Sequence, residues 1–100
     1  MRRKRYRDVI TRQLELFVRE DGDLLDDVDR ALQRYNAAER EEAEELYGDY
    51  QLAIEAATDR LAELRDAYAA TLDDPDPYVR EFNRAVVARW HELALTIEES

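Results

Sequence analysis

Residues 36–51, NAAEREEAEELYGDYQ, hold the densest set of chemically capable side chains: Glu39, Glu41, Glu42, Glu44 and Glu45 fall within seven residues. On a helix, Glu41 and Glu45, four apart, and Glu42 and Glu45, three apart, share a face, as carboxylate metal sites in helical bundles require. Such sites also need Glu-x-x-His units. The one histidine, His91, has Ala88 three residues before it, so the unit is missing. No loop of alternating Asp and Asn around a central glycine offers a calcium site either. The cluster therefore reads as the solvated, acidic start of a helix, and no metal or cofactor is expected.

His91 lies in RWHEL beside Glu92 and has the chemistry of a general base. Catalysis needs a second group, a nucleophile or an oxyanion donor, and none can be identified. Thr11, Thr58, Thr71, Thr96 and Ser100 stand in no nucleophile motif. The absence of cysteine excludes thiol chemistry and cysteine-ligated metals. Two isolated glycines, Gly22 and Gly48, build no phosphate loop. The chain is expected not to be an enzyme, and no small-molecule substrate can be named.

Two further sets point to binding. The start RRKRYR offers Arg2, Arg3, Lys4, Arg5 and Arg7 for phosphate contacts, with Tyr6 to stack on a base. The same cations suit carboxylates, including the 39–45 cluster of this or a neighbouring chain. A second set, Tyr35, Leu46, Tyr47, Tyr50 and Trp90, has the character of a subunit interface, where aromatic residues are favoured.

The charge limits what these sets bind. Net charge is −10, with fourteen Arg and one Lys. Residues 1–12 carry +5, and the other 88 carry −15. An acidic body repels nucleic acid and anionic membrane surfaces. No apolar run approaches the roughly 20 residues that span a bilayer. The basic start resembles that of a signal peptide, but Asp8, Arg12 and Glu15 interrupt the segment that follows. With no disulfide framework, the expected location is cytoplasmic.

The elements that position these side chains should all be helical. Scarce Gly and Pro, with abundant Ala, Leu, Glu and Arg, favour long helices. One hundred residues make a single domain, 1–100, with 1–5 as a flexible basic arm. Apolar spacing of three and four residues predicts antiparallel amphipathic helices at about 3–20, 24–35, 38–72 and 77–97. Gly22 is expected to end the first in the left-handed conformation, with Asp23 capping the second. Asp76 and Pro77 open the last as cap and first helical residue. Gly48 marks a kink or a close helix crossing.

The middle admits two readings. Asn36 and Glu39 form a capping box that turns the chain, placing Glu39, Glu41 and Glu42 at the positive end of a new helix. Alternatively the apolar stripe keeps phase from Tyr35 to Leu46, and residues 24–72 form one helix of about 74 Å. In that case the stripe exceeds what the flanking helices cover, and a homodimer follows. The expectation is an all-α helical bundle, a cytoplasmic protein–protein interaction or structural protein. Its alternative is a nucleic-acid- or ribosome-associated accessory protein using the basic arm.

Overall fold

The computed structural model describes residues 5–100. Arg2, Arg3 and Lys4, with the contacts expected of them, lie outside the described residues. The fold is an all-α bundle: α1 Arg7–Asn36, α2 Ala43–Ala69, α3 Asp76–Arg89, a 3-10 turn His91–Leu93 and α4 Ala94–Glu99. None of these helices is long and apolar enough to cross a membrane.

α1 and α2 form an antiparallel hairpin, and α3 and α4 pack against its open end. From α1, Ile10, Leu14, Phe17 and Val28 enter the core at helical spacing. From α2 come Ile54, Ala57 and Leu61, and from the last third Tyr78, Phe82, Val86, Leu93 and Ile97. Removing each large member from water stabilises the fold by about 1.5–3 kcal/mol. The molecule measures 50 × 27 × 24 Å.

The structure decides for a break after Asn36, so residues 24–72 are not one helix. A straight helix could not cover its own stripe. Turning lets the later half of α1 face the first half of α2. The break is not made by the capping box, however. Asn36 is the last residue of α1, and α2 starts at Ala43 with no side-chain cap bond. Backbone bonds make the turn: Ala37 donates to Gln33 O, Ala38 to Tyr35 O and Glu42 to Glu39 O. Glu44 and Glu45, rather than Glu39, Glu41 and Glu42, occupy the positive first turn of α2.

Other boundaries also move. The helices expected at 3–20 and 24–35 join into α1 with a kink at Asp21 (φ −121°, ψ 21°). Gly22 takes no left-handed conformation and ends nothing. Asp21 falls four residues after Phe17, on the core-facing stripe, where its Oδ2 accepts from Arg60 Nε of α2 at 3.1 Å. The two helical segments thus meet at a kink whose polar residue has a partner on α2. Gly48 lies inside α2, and no neighbouring helix approaches its missing Cβ within 4 Å. α2 ends at Ala69, short of Leu72. Pro75, not Asp76, precedes α3, with Pro77 in its first turn.

The expected last helix, 77–97, breaks at Trp90 (φ −136°, ψ 87°), which no Gly or Pro announces. Trp90 packs edge-on against Phe17 (centroids 5.6 Å), under the Arg89 guanidinium at 5.0 Å. Beyond it α4 folds back. Arg65 Nη1 reaches both Asn83 Oδ1 (3.0 Å) and Ser100 Oγ (3.1 Å), groups that a straight helix would hold about 25 Å apart.

Candidate functional site

The start of α1, the end of α2 and the start of α3 meet at one end of the hairpin. Their junction is fixed by Tyr78, fully buried. Its ring meets Tyr68 at 4.8 Å and Tyr6 edge-on at 5.4 Å. Its hydroxyl donates to Gln13 Oε1 at 2.9 Å, while Gln13 Nε2 donates to Leu64 O at 3.4 Å. Burial pushes the Tyr78 phenol up to about 12, against the smaller opposing effect of its bond to Gln13. The Tyr6 N–H donates to Glu81 Oε2 at 3.3 Å, tying the entry of α1 to α3.

Above this aromatic floor lies a groove of about 1030 Å³, bordered by Arg5, Arg7, Arg80 and Arg84, with Tyr6, Tyr68 and Glu81. Arg80 and Arg84, one turn apart on α3, share a face. All four arginines are exposed, and none forms an ion pair among the described residues. The Arg5 guanidinium stands over the Tyr6 ring at 5.4 Å. Glu81 Oε1 is shielded from solvent and lacks a hydrogen-bond partner. Arg84 and Arg7 also border a smaller neighbouring groove of about 370 Å³ against Ile10 and Ala85. Guanidinium forks match carboxylate and phosphate oxygens two at a time, so this arrangement can hold an anion.

Two of the five basic residues singled out in the sequence, Arg5 and Arg7, therefore stand at this groove. Arg80 and Arg84 were missed. Their signal was the four-residue spacing in RxxxR, but only the fold brings them beside Arg5 and Arg7. The 39–45 acidic cluster lies at the opposite end of the hairpin, so within one chain Arg5 and Arg7 cannot pair with it.

The aromatic set divides. Tyr35 and Tyr47 meet at 5.2 Å and Tyr47 and Tyr50 at 6.3 Å, a ladder across the hairpin near its turn. Leu46 is half-buried beside them, whereas Trp90 packs on Phe17 instead. Next to the ladder a shallow pocket of about 260 Å³ holds His91, Glu92 and Leu95. Burial, then Glu92 and Tyr47, raise the Tyr50 phenol above its ordinary value. Among the described residues, no three His, Asp or Glu side chains converge on a metal-sized position.

No protein family, no curated protein and no solved structure matches the chain.

Proposed function

We propose that this protein is a helical interaction protein that binds an acidic segment of a protein partner through Arg5, Arg7, Arg80 and Arg84. The observation that carries the reading is the concentration of four exposed guanidiniums, none ion-paired among the described residues, around one groove. Solvated arginines engaged by carboxylates gain charge-assisted, two-point hydrogen bonds. No catalytic role is assigned, and the cytoplasmic location expected from composition belongs to the same proposal.

A nucleic-acid partner is the second reading, favoured by Tyr6 and Tyr68 in the groove, where bases could stack. Charge argues against it. Duplex DNA carries about one phosphate per 1.7 Å, and residues 13–100 carry −15. A protein segment with spaced carboxylates meets the same groove with less repulsion from the body.

Fluorescence anisotropy with a labelled glutamate-rich peptide and with a labelled RNA oligonucleotide of equal charge separates the two. The peptide should bind, and Arg80→Ala/Arg84→Ala should weaken it at least tenfold. Tighter binding of the oligonucleotide than of the peptide would replace this reading with the nucleic-acid one.

A further inference from the structure

The arginine groove and the acidic turn are complementary in charge, and one molecule cannot bring its own pair together. The turn and the first residues of α2 carry five glutamates against Arg40, −4 over residues 39–45. All five are exposed, and none forms an ion pair among the described residues. The groove sets its four arginines against Asp8 and Glu81, +2. Between the two runs α1, 30 residues and so about 45 Å, nearly the full 50 Å of the molecule. Solvated charges interact over only about 8–10 Å at ordinary ionic strength. Within one chain, therefore, neither surface neutralises the other.

We propose that the occupant of the arginine groove is the acidic turn of a second copy of this chain. This rests on the reading of the groove as a site for acidic protein segments, and it names the segment. The turn is the convex end of a two-helix hairpin, and the groove is concave. Two copies laid antiparallel bring turn to groove at both ends at once. The second contact then forms at high effective concentration, and the pair closes on a two-fold axis with neither surface left over.

The net charge of −10 on each copy opposes the pair. At about 0.15 M salt that repulsion, acting between charges many ångströms apart, is largely screened, while contacts at hydrogen-bond distance persist. At about 1 M the screening length falls to roughly 3 Å and the contacts weaken too.

Sedimentation equilibrium at high protein concentration reads this directly. At physiological salt the mass should rise from 11.8 kDa toward twice that value, and return in 1 M salt. A turn variant, Glu39→Lys/Glu41→Lys/Glu42→Lys, lies ahead of α2, and a groove variant, Arg80→Glu/Arg84→Glu, lies on the exposed side of α3. Each alone presents like charges at both ends and should stay monomeric. Mixed in equal amounts they become complementary again, and the doubled mass should return. Variants that had merely misfolded would not rescue one another, and circular dichroism of each checks helicity.

A wild-type chain that stays monomeric at physiological salt, or variants that pair alone as well as the wild type does, would overturn the inference. If the wild type is monomeric yet the glutamate-rich peptide still binds, the partner is another protein and the groove reading stands. If neither binds, both fall.

Discussion

Arg65 shows how a single polar side chain organises the last third of the chain. Only 3% of it is exposed, yet its one carboxylate partner, Asp66, lies largely in solvent. The remaining donors go to Asn83 Oδ1, Ile97 O and Ser100 Oγ and O, so the guanidinium clips α4 to α3. α4 has six residues, too few to hold as a helix alone. Arg65→Ala should lower stability by about 2–4 kcal/mol in urea unfolding, because it removes a buried side chain together with the bonds that hold Asn83 and the end of α4. Arg65→Lys should recover only part of this, since one ammonium cannot span Asn83 and Ser100. An Arg65→Ala chain as stable as the wild type would remove the clip from the account. Tyr78 sets a pH limit at the same scale. Its folded value, about 12, lies above the ordinary 10, so below pH 10 its contribution is complete. Between pH 10 and about 12 the unfolded chain releases a proton that the native phenol keeps, and stability falls as pH rises. Urea midpoints should drop across this window, and Tyr78→Phe should flatten the drop. The phenylalanine variant should cost about 1 kcal/mol at neutral pH through the lost bond to Gln13.

At the scale of elements, glycine in α2 tests whether the helix needs flexibility. Gly48 has helical backbone and open space where a Cβ would stand. Gly48→Ala should therefore stabilise the chain by about 1 kcal/mol, read as a rise in thermal midpoint of roughly 4–8 °C. A fall would mean that α2 bends at this point in solution. The same residue shows what local signals miss. Gly22 and Gly48 both read as interruptions: α2 runs through Gly48, while the EDGD stretch does interrupt α1, as a kink at Asp21 rather than as a left-handed glycine stop. The apolar stripe keeps phase from Phe17 to Val28, where α1 kinks at Asp21 without reversing, and also from Tyr35 to Leu46, where the chain turns. Phase therefore does not decide a break. What decides is whether a continued helix would find a surface to cover its stripe. Helical class and the core positions 10, 14, 17, 28, 57, 61, 82, 86, 93 and 97 follow from spacing, whereas the turn near Asn36 is one of two readings and rests on Asn36 and Glu39, not on spacing. The break at Trp90 and the buried Arg65 did not, since both are set by contacts with residues far along the chain. The groove was half visible for the same reason: Arg5 and Arg7 are neighbours in sequence, while Arg80 and Arg84 join them only through packing around Tyr78.

The whole molecule is a rod with its core toward one end. Its radius of gyration, 15.3 Å, exceeds the roughly 13 Å of a compact chain of this length. Among the described residues, every buried one lies in 10–28 or 54–97, and none in 29–53. The hairpin near its turn is held by the half-buried seam and by the ladder of Tyr35, Tyr47 and Tyr50. Local opening follows buried contact, so the free energy of opening should fall along the rod toward the turn. Native-state hydrogen exchange should find amides of 31–36 and 44–50 opening well below the global unfolding energy, and those around Leu61 and Phe82 opening only with it. Tyr47 is 45% exposed and contributes through the ladder rather than the core. Aromatic pairs of this kind add about 0.5–1.5 kcal/mol, so Tyr47→Ala should speed exchange near the turn by up to about tenfold. Protection at Leu61 and Phe82 should change much less. If both ends lost protection equally, the rod would open as one unit, and the acidic turn would be held as firmly as the groove end.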